Sequence, residues 1–163
     1  MQQFIRPIVR SVWVRSFLLS LLVALFCSCA KVNDTGMRLV STKVDGYLIV
    51  NAQLLVGTVL LVPDRTGRVS FSAEKGAISA CSGSWRYTAT NAGEADVRCN
   101  DGTQLSLQIT LLSETRGYGY GSTAQGPSSL VFGLAEQDAS AFLTVPPGKT
   151  LAIGAESGAL ELN

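Results

Sequence analysis

The 163-residue chain contains no histidine. Without an imidazole, the Ser-His-Asp and Cys-His arrangements of nucleophilic catalysis are excluded. The carboxylates that remain for acid-base chemistry are spread along the chain, at Asp64, Glu74, Glu94, Asp96 and Asp101. Acids scattered in this way are far more often solvated surface charges than catalytic pairs. We therefore expect a protein that is not an enzyme and that uses no cofactor.

Charge is also scarce, because Asp, Glu, Lys and Arg make up only 15% of the chain. Three of the 13 Lys and Arg residues lie within the first fifteen positions, so ten bases and 12 acids follow, a net charge of −2. Nucleic-acid binding depends on clustered Lys and Arg, and here the bases stand singly. We expect no nucleic-acid partner.

The N-terminus has the pattern of a secretory signal peptide over residues 1–28. Arg6, Arg10 and Arg15 precede an apolar run over residues 17–26, and small residues follow it. A basic region, a short apolar segment and small residues at the exit are typical of such leaders. The run is shorter than the roughly 20 residues that a membrane-spanning helix needs. The sequence therefore predicts export.

The end of the leader, Phe26-Cys27-Ser28-Cys29, resembles a degenerate bacterial lipobox. This resemblance implies cleavage before Cys29, acylation of Cys29 (palmitate included) and attachment to a membrane through the N-terminal lipid. Residues 31–35 are polar and indicate a tether to the folded body, so residues 29–35 are predicted to be a lipid-anchored tether. Ala30 and Lys31, rather than an acidic retention residue, favour the outer membrane under the sorting habit of that family. The alternative is cleavage after Ala30, which discards both leader cysteines and leaves a soluble periplasmic protein.

Residues 36–163 are expected to form a single β domain. Apolar residues alternate with polar ones over 105–111, as they do in a half-buried strand, and Asn100-Asp101-Gly102 is a strong tight-turn signal. Residues 63–67 are predicted as another turn, with Pro63 first and Gly67 last. Short strands at this spacing favour an antiparallel sandwich or a small barrel. The stretch 134–143 lacks β-branched residues and predicts one short helix.

Two pairs of residues in this body stand out. Cys81 and Cys99 are expected to form a disulfide, which is the usual state of two body cysteines in an exported chain. With no histidine and no further body cysteines, a zinc site is not expected. Tyr118 and Tyr120 alternate with glycines, so they lie on one face of a strand. They either pack against the protein or offer an apolar, hydrogen-bonding platform for a ligand.

The stretch from Cys81 to Gly133 is similar to small secreted proteins of Gram-negative cell envelopes, since it combines the two cysteines, Asn100-Asp101-Gly102 and a Gly-x-Gly-x-Gly strand. The resemblance implies a location and no chemistry. The sequence thus favours a non-catalytic envelope lipoprotein, located in the outer membrane or periplasm, with a binding or structural-support role and an envelope protein as the candidate partner. The alternative is a soluble periplasmic module that binds an apolar ligand or peptide.

Overall fold

The computed structural model describes residues 41–155 and 157–163. The signal peptide, Cys29 and the tether lie outside the described residues, so the predictions made for them stay predictions. The described body contains eight long strands, one short helix and a small hairpin. Their bounds are β1 Thr42–Val50, β2 Gln53–Val62, β3 Thr66–Ser72, β4 Ala80–Tyr87, β5 Ala92–Cys99, β6 Gln104–Ser113, β7 Arg116–Thr123, β8 Gly126–Phe132, α1 Glu136–Ser140, β9 Leu151–Ile153 and β10 Leu160–Leu162.

Strands β1 to β8 form a closed barrel in which each strand pairs antiparallel with the next one along the chain. Strand β8 pairs with β1 and closes the ring. The expectation of a mainly β, antiparallel fold with one short helix is confirmed, and the barrel is the form it takes. Because the barrel is closed, each of the eight strands is paired on both sides over at least part of its length.

The register of the strands fixes the width of the barrel. One row of directly opposed residues begins at Val62 on β2, runs around the barrel and returns to the same strand at Leu54, eight residues away. Eight strands with a shear of eight are tilted by about 36° and enclose a space just wide enough for side chains to fill.

Apolar side chains do fill that space. The inward-facing residues form one buried cluster that includes Leu48, Leu55, Phe71, Leu107 and Phe132. Each of these is at most 2% exposed. The alternation seen in the sequence over β6 therefore points its apolar side chains into the barrel and its polar ones outward. These inward-facing side chains form the packed core of the barrel.

Glycines on the inner wall make room for the largest of these side chains. Trp85 on β4 is 3% exposed, and its neighbours in the strand register are Gly67 on β3 and Ala95 on β5. A Cβ atom at Gly67 would lie 1.4 Å from Nε1 of Trp85, and one at Gly93 would lie 3.1 Å from the same ring. The indole thus occupies the space that side chains at these two positions would need.

The C-terminal segment, residues 134–155 and 157–163, packs on the outside of the barrel. Together with outward residues of β1, β7 and β8 it forms a second apolar cluster, which contains Tyr47, Val131, Ala139 and Leu160. Tyr47 lies among these buried residues, and its hydroxyl donates a hydrogen bond of 3.2 Å to Oε1 of Glu136 on α1. Burial raises the pKa of Tyr47, and the Glu136 carboxylate raises it further.

The predicted turn over residues 63–67 is wrong at its last two positions. Strand β3 already begins at Thr66, and Gly67 is an inward strand residue. The left-handed position of this turn is Arg65, with a φ of 67°. Gly67 is therefore needed because Trp85 approaches it closely and not because of a turn conformation. Among the described residues, no helix has the length and apolar character needed to span a membrane.

Candidate functional site

Tyr118 and Tyr120 lie on the outer face of β7, as their alternation with glycine predicts. Gly117 and Gly119 face the interior, where both are buried. A Cβ at Gly117 would lie 2.7 Å from Cζ of Phe132, so the inner wall has no space for a side chain there. The sequence pattern thus separates an inner face made for close approach from an outer face that carries the two tyrosines.

The two tyrosines have different surroundings. The Tyr118 ring stacks on Phe142 of the C-terminal segment, with ring centroids 4.7 Å apart and planes 20° apart. It is partly buried in the outer apolar cluster, so it helps to hold the C-terminal segment on the barrel. Tyr120 is 43% exposed, and its ring lies 5.5 Å from that of Tyr118. Of the pair, Tyr120 is the one that a ligand can reach.

Tyr120 is one end of a row of outward side chains that crosses four strands. Its direct partner on β6 is Gln108, Gln108 is opposite Glu94 on β5, and Glu94 is opposite Arg86 on β4. Directly opposed residues place their side chains on the same face of a sheet, about 5 Å apart. We call Arg86, Glu94, Gln108 and Tyr120 the polar row.

Both oxygens of the Glu94 carboxylate in the polar row accept hydrogen bonds. Arg86 donates a hydrogen bond of 2.7 Å from Nη2 to Oε2, in an ion pair. The Ser106 hydroxyl donates to Oε1 at 3.2 Å. Asp96, the next outward residue on β5, is 3.9 Å from Nη1 of Arg86. The row therefore presents an oriented carboxylate, an amide and an exposed aromatic ring side by side.

The other carboxylates that the sequence offers do not join this group. Asp64 and Asp101 each accept hydrogen bonds from the residue two positions later, Thr66 and Thr103, and so stabilise tight turns. These hydrogen bonds lower the pKa of Asp101. Within residues 41–155 and 157–163, no three side chains of the metal-binding types form a group that could hold a metal ion.

A groove on another side of the barrel is the second candidate. It has a volume of about 890 Å³ and lies between the outer face of β2, the start of the β3–β4 loop and strand β10. Leu54 and Val56 contribute apolar surface, and Val56 is 43% exposed. Asp45, Glu74 and Lys75 also line the groove and supply charges of both signs.

Cys81 and Cys99 have a structural position. They are direct partners at one end of the β4–β5 hairpin, and their Sγ atoms are at disulfide distance, 1.96 Å. Both side chains are buried in the interior cluster. The disulfide predicted from the sequence therefore joins the two strands that carry Arg86 and Glu94.

Sequence reasoning identified Tyr120 and missed its neighbours Gln108, Glu94 and Arg86 as one group. Alternation places each of them on the outer face, but only the pairing of β4, β5, β6 and β7 shows that they are aligned. No family model, curated protein or solved structure matches the chain.

Proposed function

We propose that the chain is an exported, lipid-anchored and non-catalytic envelope protein that binds its partner through the outer surface of the barrel. The observation that supports a surface role is the packed interior: side chains such as Phe71 and Phe132 occupy the space that an internal ligand would need. Binding is then left to the outside, where Tyr120 stands exposed beside the other members of the polar row.

The anchor in this proposal is Cys29. Eleven residues separate Cys29 from Ser41. Extended, that length of chain spans at most about 40 Å, so the anchor would hold the barrel close to the membrane surface. A single acyl chain binds a membrane weakly and reversibly, and stable attachment needs the several chains that a processed lipoprotein carries. Its barrel would then remain available to partners in the envelope.

The absence of catalysis in this proposal rests on the chemistry of the side chains. The chain has no histidine, and the Glu94 carboxylate is paired with Arg86. Both oxygens of this carboxylate accept hydrogen bonds, Oε2 from Arg86 and Oε1 from Ser106. The carboxylate is therefore suited to accepting hydrogen bonds from a bound molecule.

The anchor is tested with two cysteine variants of the full chain in a bacterial host. Cys29→Ala should lose the acyl mass in mass spectrometry and leave the membrane fraction, because no acceptor remains after Ser28. Cys27→Ala is the matched control and should keep both. A wild-type terminus at Lys31 without modification would contradict the lipoprotein and leave the soluble form.

The binding role is tested by capture of partners from envelope extracts with the intact lipidated protein. Wild type should retain a defined partner that Tyr120→Ala loses, while the two proteins unfold at the same temperature. Equal capture by both proteins would place the binding surface elsewhere on the barrel.

The second candidate function is a soluble periplasmic module that binds an apolar ligand or peptide. The groove favours it, since Leu54 and Val56 are apolar residues on the outer face of a strand. Native mass spectrometry of the mature protein should then show a bound apolar molecule, and Val56→Ser should release it. An intact mass equal to that of the bare chain would count against this candidate.

A further inference from the structure

We propose that the polar row binds an uncharged oligosaccharide. The ring of Tyr120 would contact the apolar face of one sugar, and the side chains of Gln108 and Glu94 would hydrogen-bond to hydroxyl or acetamido groups of the next ones. This inference rests on the surface binding role proposed above and names the class of ligand for it.

The spacing of the row suits a chain of sugars. Arg86, Glu94, Gln108 and Tyr120 lie on four adjacent strands, and neighbouring strands are about 4.8 Å apart. The row is therefore about 14 Å long. The repeat of an extended pyranose chain is close to the strand spacing, so successive sugars can face successive side chains.

The hydrogen-bonding groups of the row suit sugar hydroxyls. A carboxylate offers about four acceptor sites, and Glu94 uses two of them for Arg86 and Ser106. The remaining acceptor sites of the Glu94 carboxylate can accept hydrogen bonds from sugar O–H or acetamido N–H groups. The Gln108 amide has both a donor and an acceptor, and Gln108 is exposed. Because Arg86 and Ser106 already hold the carboxylate, little side-chain entropy is lost when a ligand binds.

The aromatic end of the row is also held in place. Tyr120 lies next to Tyr118, which stacks on Phe142. Tyrosine has few rotatable bonds and combines an apolar ring with a polar hydroxyl, so it contributes contact area at low entropic cost. A sugar has the same combination, with C–H groups on its faces and hydroxyls at its rim.

The charges of the row favour an uncharged ligand. Arg86 and Glu94 neutralise each other in their ion pair, and Gln108 and Tyr120 carry no charge. Asp96 beside Arg86 adds one negative charge. The Asp96 carboxylate would repel a polyanion, and the Arg86 guanidinium is already paired with Glu94. Electrostatic complementarity to a polyanion is therefore poor. An uncharged sugar chain meets no such penalty.

The experiment is calorimetric titration of the full mature protein with two soluble probes, cellohexaose and chitohexaose. Each sugar of chitohexaose carries an acetamido group where cellohexaose carries a hydroxyl. We expect at least one to bind. Tyr120→Ala and Gln108→Ala should each weaken its binding by about tenfold, the loss that a contact of about 1.4 kcal/mol gives. Tyr120→Phe keeps the ring and should retain most of the affinity.

Ile153→Ala is the matched control, because Ile153 is 42% exposed, close to the 43% of Tyr120, and lies on β9, outside the row. It should leave sugar binding unchanged. The proposal is overturned if neither probe binds, if Ile153→Ala weakens binding as much as Tyr120→Ala, or if polygalacturonate binds the row more tightly than the uncharged probes.

The outcomes also separate this inference from the proposed function. If neither sugar binds, while an envelope protein is still captured through Tyr120, the sugar proposal is rejected and the proposed surface role remains. If the wild type proves to be unacylated and Cys29→Ala leaves sugar binding unchanged, the sugar proposal is supported and the lipid anchor is rejected.

Discussion

Replacement of Gly67 by alanine tests the packed interior most directly. The position is a strand residue without a left-handed φ, so its backbone allows alanine and only space is at issue. The new Cβ would lie 1.4 Å from Nε1 of Trp85 and 2.6 Å from the carbonyl oxygen of Leu60. The indole would have to move by about 2 Å to reach ordinary contact distance.

That movement is opposed on the other sides of the ring. Tyr87 lies 4.7 Å and Phe132 lies 6.0 Å from Trp85, measured between ring centroids. Overpacking of a core costs about 1–3 kcal/mol, and here the backbone limits one side of the space. We expect Gly67→Ala to lower the free energy of unfolding by about 3 kcal/mol in urea denaturation.

A second background shows whether Trp85 is the cause. Nε1 of Trp85 has no hydrogen-bond partner among the described residues, so Trp85→Phe removes volume without breaking a hydrogen bond. In that background Gly67→Ala should cost less than in wild type, with a coupling energy of about 1–2 kcal/mol between the two sites. Ser70→Ala, on the outer face of the same strand, is the control and should change stability by less than about 0.5 kcal/mol.

Equal costs of Gly67→Ala in both backgrounds would refute the contact with Trp85. A harmless Gly67→Ala in wild type would refute the packed interior itself, because a barrel with spare internal volume could absorb one methyl group. A harmless Gly67→Ala would also be consistent with a ligand bound inside the barrel, which the proposed surface role does not allow.

Three further predictions concern the disulfide and the tyrosines. Replacing both Cys81 and Cys99 with serine should lower the unfolding free energy by about 2–4 kcal/mol, since the disulfide closes a loop with a sequence separation of 18. Thiol titration of the denatured, unreduced wild type should find neither of these two thiols free. Tyr118→Ala should cost about 2 kcal/mol through its lost stacking, whereas Tyr120→Ala should cost less than about 1 kcal/mol; equal costs in denaturant titrations would contradict their different burial. Folding raises the pKa of Tyr47 above its ordinary value of 10.0, so its contribution to stability is complete below pH 10.0 and is lost as pH rises from there through the raised pKa. Tyr47→Phe should therefore reduce the fall in unfolding free energy as pH rises above 10.0, and an unchanged fall would assign it to other groups.

Much of the fold follows from the sequence pattern alone. Alternation of apolar and polar residues identifies β6 and much of β3 to β5, because one face of each of these strands is the core and the other is solvent. Asn100-Asp101-Gly102 has the residues that a tight turn demands, with Gly102 at a φ of 89°. Local chemistry decides these features, so a local pattern is enough to predict them.

Other features depend on contacts that are distant in the sequence. The β1–β2 turn places Asn51 and Ala52 at φ values of 50° and 59°, a conformation in which glycine is usual at the second position. Alanine gives no sequence signal for it. The choice between sandwich and barrel is also not local, because it depends on whether β8 reaches β1.

The polar row shows why the candidate site needed the structure. Arg86, Glu94, Gln108 and Tyr120 are spread over 35 positions of the chain, and a register shift of one residue in any of the three pairings would turn one group to the inner face. The apolar core prevents such a shift, since Trp85, Ala95 and Leu107 are the inward neighbours in the same strands. Packing inside the barrel therefore sets the alignment of the polar groups outside it. For the same reason, a core substitution that loosened the register would weaken binding at the row without touching any of its residues.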